Sequence, residues 1–310
     1  MKSASPCGDM RPLSHDRDEI QISRLVRGRI LGTMRAMSQS WTLTQFRWDD
    51  INPAKVDRDL LETVKTAALV EANSADYVTY LRNVFADDDA FKAAADEWGV
   101  EEAQHGEALA RWAMAVDPSF DFHAALARFR AGYQLPLEVN ASVRGSRAGE
   151  LIARCVVESG TCSFYSAIRD RSPDPVLRAI CHHIAQDEAR HYRLFEDHLE
   201  RYIAREPLSV LARLKIAFGR VDETGDDELS YAFYSANINS KDETYDRERC
   251  ATAYWRRAIK LYEPRHVQGA ARMILRAARL RLAAPILRWT LSAVWWGMQR
   301  KLRRLEATAR

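Results

Sequence analysis

Closely spaced cysteines are missing from this 310-residue chain. Its five, Cys7, Cys155, Cys162, Cys181 and Cys250, are odd in number and scattered. Without a CxxC pair a zinc ribbon or a rubredoxin-type iron site is excluded, and the simplest compartment is a reducing, cytosolic one. Glycine-rich nucleotide fingerprints are absent as well, so no hydride or phosphate cofactor is expected to be held by this chain. No uninterrupted apolar run reaches the roughly 18 residues of a membrane span, and residues 1–17 lack the apolar core of a secretion signal. Glycine (13) and proline (10) are sparse in a sequence rich in Ala, Leu, Arg and Glu, which favours helix over sheet. The net charge of +3 is too small to define a partner, and with no recognition motif present no nucleic acid is expected.

What is present is helical periodicity over most of the length. Residues 1–14 read as a tail, 16–37 as a peripheral helix, and 41–53, mixing aromatics with turn formers up to Asn52-Pro53, as an extended connector. Four long helices are expected over 56–84, 88–117, 146–172 and 175–205. A short helix at 122–133 and a linker at 135–145 lie in the long connection between the second and third. Two hairpins joined by a crossover make an all-α, ferritin-like four-helix bundle over residues 54–206. Residues 1–53 precede it and a helical extension, 207–310, follows. Helices there are expected at 208–221, 227–237 and 247–262, with two more to the end.

The chemistry concentrates in two segments, Glu101-Glu102-Ala103-Gln104-His105 and Asp187-Glu188-Ala189-Arg190-His191. Glu102 and His105, like Glu188 and His191, stand three positions apart, one turn on one helix face, where both can hold one metal ion. Such a pair alone is a weak signal. Glu263-Pro264-Arg265-His266 has the same spacing, but its proline marks a helix start. The first two pairs gain weight from their setting. Each lies deep in a long helix, and each follows by about thirty residues a lone glutamate on the preceding helix, Glu71 or Glu158. In antiparallel hairpins that separation returns to the same level.

The expected inward faces agree. They carry Val64, Ala67, Ala68, Ala75 and Val78 around Glu71, and Ala95, Trp98, Gly99 and Leu109 around Glu102. Leu151, Cys155, Cys162 and Tyr165 surround Glu158; Cys181, Ile184, Ala185 and Phe195 surround Glu188. Carboxylates among such residues are costly to bury unless paired or metal-bound. Two divalent cations would account for all four, and oxygen-rich ligation with one imidazole per ion suits iron, or else manganese, over structural zinc.

Residues 59–197 resemble the soluble acyl-carrier-protein desaturases of the ferritin-like superfamily. Trp98-Gly99-Val100-Glu101-Glu102-Ala103-Gln104-His105-Gly106 is similar to their Trp-x-x-Glu-Glu-x-x-His-Gly motif, and Ile184-Ala185-Gln186-Asp187-Glu188-Ala189-Arg190-His191 to their Ile-Ala-x-Asp-Glu-x-x-His motif. Glu158-Ser159-Gly160-Thr161 matches a Glu-x-x-Thr. The match is weakest around Glu71 and does not extend past Pro207. The resemblance implies a di-iron centre that uses O2 as co-substrate, with Glu102 and Glu188 bridging and Glu71 and Glu158 terminal. It also implies that Thr161 relays protons to bound oxygen. Asp187 is expected to fix a ligand imidazole, His105 across the bundle, with Glu101 in the corresponding place before Glu102.

The function expected is oxidation of an unactivated C–H bond, by desaturation or hydroxylation of a fatty-acyl or other lipid chain, free or carrier-bound. Electrons would come from a separate ferredoxin or reductase. The alternatives are a di-iron oxygenase acting on an amine or a modified tRNA base, and a ferritin-like protein that handles iron or peroxide. From Arg265 onward basic residues far outnumber acids. Residues 280–304, apolar and tryptophan-rich between arginines, fit an interfacial helix at the inner face of the cytoplasmic membrane. The alternatives are a terminal helix packed on the bundle or on the second subunit of a homodimer and, behind it, a docking site for an acidic carrier protein.

Overall fold

The computed structural model describes residues 41–223, 227–238 and 244–308. The expected tail and peripheral helix at 16–37 lie outside them. The regular elements of the described residues are all helices, with no strand among them. The α-helices are α1 (Arg58–Glu71), α2 (Ser74–Val84), α3 (Asp89–Val116), α4 (Phe122–Gly132), α5 (Arg147–Arg171) and α6 (Pro175–Ile203). They continue as α7 (Val210–Asp222), α8 (Asp227–Asn237), α9 (Arg247–Leu261), α10 (Pro264–Ala277) and α11 (Ala284–Thr308).

Local chemistry sets most of the boundaries. Asp57, Asp88, Ser146 and Asp174 each accept a backbone N–H in the first turn of α1, α3, α5 and α6, satisfying donors that a helix start leaves open. Asp174 does more. Fully buried, it also accepts from Trp112 Nε1 at 3.0 Å and from the Asn52 amide at 3.2 Å. The start of α6 is thereby tied to the end of α3 and to the segment leading into α1.

Two expectations need correction. The segment 41–53 is not simply extended: it makes short 3₁₀ turns at Leu43–Gln45, Trp48–Asp50 and Pro53–Lys55. The first bundle helix is not continuous. It stops at Glu71 and restarts at Ser74, so the helical phase shifts and Ala75, expected inward, is exposed. The reason is tertiary. A Cβ on Gly106 would sit 2.6 Å from the backbone nitrogen of Ala72 and 2.8 Å from its Cα. At this break the chain runs directly against α3, which only glycine permits.

α5 and α6 pack along one another as a hairpin, α1 and α2 pack on α3, and α3 packs on α6. The long connection from α3 to α5 carries α4. Two apolar clusters fill the interior. One includes Val64, Leu69, Leu109, Trp112, Tyr165, Ile168, Ile180 and Ile184. The other includes Tyr80, Phe85, Phe91, Trp98, Leu151, Cys155, Phe195 and Leu199. On every bundle helix the glutamates and histidines singled out above fall between these two sets.

Helices beyond residue 207 share that interior. Phe233, Ala236, Tyr254 and Ala258 belong to the first cluster. α8 lies on α1, α10 and α7 lie on α5, and α11 lies on α9 and α10. His266, the third spacing match, caps the start of α10: its Nδ1 accepts from the Glu263 amide at 3.0 Å, and its Nε2 faces Asp170 at 2.9 Å. It stands at a helix start, as its proline predicts. Among the described residues no helix is long and apolar enough to cross a membrane.

Candidate metal centre

Glu71, Glu102, His105, Glu158, Glu188 and His191 converge in one layer, none more than 7% exposed. They form two overlapping donor groups. Glu71, Glu102, His105 and Glu188 make one; Glu102, Glu158, Glu188 and His191 make the other, and within each group the ligand atoms lie within 4.8 Å of one another. Glu102 and Glu188 belong to both, the position of bridging carboxylates. Glu71 pairs with His105 and Glu158 with His191, an assignment that spacing alone left open.

Both imidazoles turn the same way. His105 Nδ1 points into the layer, 3.4 Å from Glu188, 3.6 Å from Glu102 and 4.0 Å from Glu71. His191 Nδ1 lies 2.9 Å from Glu102, 3.7 Å from Glu158 and 3.9 Å from Glu188. Outward, His105 Nε2 donates to Asp187 at 3.0 Å and His191 Nε2 to Glu101 at 2.8 Å. An acceptor on Nε2 requires the hydrogen there, leaving Nδ1 to offer a lone pair inward. Neither Nδ1 has a well-aligned hydrogen-bond partner, and neither do the buried Oε1 atoms of Glu158 and Glu188. Unsatisfied buried polar atoms of this kind need an explanation, and a cation in each group supplies one.

Electrostatics point the same way. Burial, reinforced by the charge of Glu102, pushes Glu71 well above the usual glutamate range; burial does the same to Glu158. Burial also works against charge on Glu102, yet the closeness of Glu71, His105 and His191 holds it well below that range. Glu188 is lowered by His105 and His191, against burial and the charge of Glu102. Burial opposes the charged form of both imidazoles. Asp187, Glu102 and Glu188 nevertheless raise His105, and Glu101, Glu102, Glu158 and Glu188 raise His191. Without metal, protons must neutralise this layer, and metal must displace them.

Thr161 Oγ1 lies 2.5 Å from Glu188 Oε2 and also reaches the Val157 carbonyl at 3.2 Å. It borders a cavity of about 380 Å³ that extends from Glu71 and Tyr165 outward between α5, α7, α8 and α9. A smaller space of about 60 Å³ touches Glu71, Glu102, Glu158 and Glu188 directly. Cys155 and Phe195 are core residues, as expected, and Cys162 donates weakly to the Ala185 carbonyl.

Four contributors carry no local signal or only a faint one. Trp41 Nε1 donates to Asp187 Oδ2 at 2.8 Å across 146 residues, a contact that only the aromatic richness of 41–53 hinted at. Arg190 stands 2.5 Å from Asp187 and 3.5 Å from Glu101, linking the two outer acids; its i,i+3 spacing from Asp187 was the available clue. Tyr165, expected only to line the site, donates its hydroxyl to Glu71. Arg154 lines both spaces and sits in an otherwise ordinary helical pattern.

No family model matches the chain, and no curated protein matches it. The buried Glu and His groups could hold metal ions, and that is the class of site the geometry defines.

Proposed function

We propose that residues 54–206 form a ferritin-like bundle related to the acyl-carrier-protein desaturases, and that the protein is an O2-dependent oxidase of an unactivated C–H bond. The reading that fits best is desaturation or hydroxylation of a fatty-acyl or lipid chain. Two iron ions, with manganese the alternative, would supply the binding and reductive activation of O2. The observation that carries the proposal is the pair of donor groups sharing Glu102 and Glu188, each with one inward Nδ1.

Hydroxylation places one oxygen atom in the C–H bond and releases the other as water. Desaturation removes two hydrogens and releases both oxygens as water. Either balance needs two electrons and two protons beyond those of the substrate, from a separate ferredoxin or reductase. The residues divide the remaining work. Asp187 and Glu101 fix the two imidazoles through Nε2. Trp41, Asp187 and His105 form an unbroken hydrogen-bonded chain from the 41–53 segment to the ligand layer, a route by which an electron could enter. Thr161 Oγ1, between Glu188 and the cavity, is placed to pass a proton. Tyr165 orients Glu71. The two apolar clusters keep water from the layer.

The 380 Å³ cavity favours an organic substrate over iron storage or peroxide handling, since it falls within the usual range of small-molecule sites. α11 fits a place at the cytoplasmic face of a membrane while remaining a packed helix. Leu291 is buried, whereas Ile286, Trp289 and Trp296 lie 54%, 73% and 57% exposed on one face. Two measurements test the proposal. Iron-loaded protein is expected to hold close to two irons per chain and to change its Mössbauer and optical spectra when the reduced form meets O2. Fewer than two irons would count against the site. Deleting the protein from its host is expected to alter the fatty-acid profile, and an unchanged profile with a full iron complement would move the substrate outside the lipids.

A further inference from the structure

Arg154 lies on α5 one turn before Glu158 and is only 6% exposed. Its guanidinium stands over three rings, 5.1 Å from Tyr77, 5.3 Å from Trp98 and 5.9 Å from Phe195. It borders both the 380 Å³ cavity and the small space on the ligand carboxylates. Among the described residues no carboxylate oxygen lies within the 4.0 Å of an ion pair with it. Glu158, Glu150 and Glu102 act on it only through longer-range attraction. A buried cation without a close anion is costly, so this one calls for an account.

The neighbouring acids are already engaged. Glu150 Oε2 accepts from Tyr80 at 2.8 Å and from Ser142 at 2.7 Å. Both oxygens of Glu223 are held by Arg144. Glu228, in the same wall, accepts from Tyr77 at 2.8 Å. Nor do the four ligand glutamates require Arg154 for neutrality, since two divalent cations would balance them. Arg220 of α7 borders the same two spaces, and among the described residues the carboxylate within ion-pair distance of it is Glu223 at 4.0 Å, already taken by Arg144.

We propose that Arg154 and Arg220 form an anion-recognition site in this cavity and bind the carboxylate of an acidic substrate. A planar guanidinium with several fixed donors matches a carboxylate in two-point hydrogen bonding. The aromatic rings hold Arg154 in place before the anion arrives, and Phe164, Tyr254 and Tyr262 line the cavity as apolar wall. The substrate is therefore a free acid and not a thioester joined to a carrier protein, which has no carboxylate to offer. This deepens the oxidase reading and rests on the cavity being its substrate site.

The test uses the full chain, metal-free and manganese-loaded, so that no probe is consumed. Calorimetric titration with octanoate against octan-1-ol, and with 4-phenylbutanoate against 4-phenylbutan-1-ol, separates charge from chain. At least one acid is expected to bind about tenfold or more tightly than its alcohol in both metal states, the scale of a charged hydrogen bond. Arg154→Gln and Arg220→Gln are each expected to narrow that preference, and Arg154→Lys to keep part of it. Equal binding of acid and alcohol, no binding by either pair, or an undiminished preference in both glutamine variants would overturn the proposal. Acid binding only after manganese loading would overturn it too, by placing the carboxylate on the ions. Should Arg154→Gln lower the melting temperature sharply, the wild-type acid-to-alcohol ratio and Arg220→Gln still decide. Failure of manganese to bind would count against the metal centre, while the metal-free titration would still test the arginines.

Discussion

Asp187 of α6 accepts from His105 of α3 at 3.0 Å, and Glu101 of α3 returns the relationship by accepting from His191 of α6 at 2.8 Å. Each hairpin thus orients the other's imidazole, and Arg190 joins the two acids. Outer partners of this kind typically contribute about 10–100-fold in metal affinity. Asp187→Asn and Glu101→Gln, which keep size and lose the charged acceptor, are expected to weaken iron binding by about that factor. Competition with a chelator measures it. Undiminished affinity in both variants would show that packing alone positions the imidazoles.

The pH dependence of the metal-free protein has a definite sign. Glu71 and Glu158 are raised chiefly by burial, and His105 and His191 are raised by their carboxylate neighbours against burial. Above the ordinary imidazole value of about 6.5, the folded chain therefore holds protons that the unfolded chain has released. Stability is then lost as pH rises through the folded values. His198, lowered to about 4 by burial, opposes this only at lower pH, where the unfolded imidazole is charged. The melting temperature of the metal-free protein is expected to fall as pH rises above about 6.5. Divalent metal, which displaces these protons, is expected to remove most of that slope. A flat metal-free profile would mean that the layer is relieved in some other way, such as admitted water.

Gly106 supplies a test of how the helix break positions Glu71. A methyl group there meets Ala72 backbone atoms at 2.6–2.8 Å, and backbone cannot yield cheaply. Gly106→Ala is expected to cost about 1–3 kcal/mol, as overpacking usually does, and to shift Glu71 so that iron stoichiometry falls toward one. Gly160→Ala is the control. A Cβ there meets nothing within 4 Å, and alanine is the better helix former, so its melting temperature should hold or rise. Equal effects of the two would show that the close approach at Gly106 is easily relieved.

The hairpins and the six converging side chains were legible because periodicity and i,i+3 spacing are local signals that tertiary structure here obeys. The interruption after Glu71 was not, because Ala72-Asn73 carries no breaker and the cause lies on α3, at Gly106. Trp41 reaches Asp187 across a sequence distance no local pattern records. Arg154 is a buried cation on a helix whose other face is ordinary, and only its surroundings distinguish it. For the C-terminal segment, the sequence is compatible with both packing and membrane contact. α11 packs through Leu291 and still presents Trp289 and Trp296 outward, so its composition could not separate the two.

That outward face makes the last prediction. Ile286, Trp289 and Trp296 recur at helical spacing on the exposed side, with Arg288, Arg300, Arg303 and Arg304 exposed around them. Lys301 stands 4.6 Å from the ring of Trp255, and Trp255 is also a wall residue of the cavity. A lipid surface meeting the C-terminal half of α11 would therefore lie near the route to the ligand layer. Each basic residue near an anionic surface contributes about 1 kcal/mol, and salt screens that attraction. Cosedimentation with phosphatidylglycerol vesicles is expected at low salt, with little on phosphatidylcholine and a steep loss as salt rises. Trp289→Ala with Trp296→Ala is expected to reduce it several-fold while leaving iron content unchanged, because neither side chain belongs to the metal layer. Equal binding to neutral and anionic vesicles would remove the arginines from the explanation. No binding to either would leave α11 as a helix whose exposed tryptophans meet a protein surface.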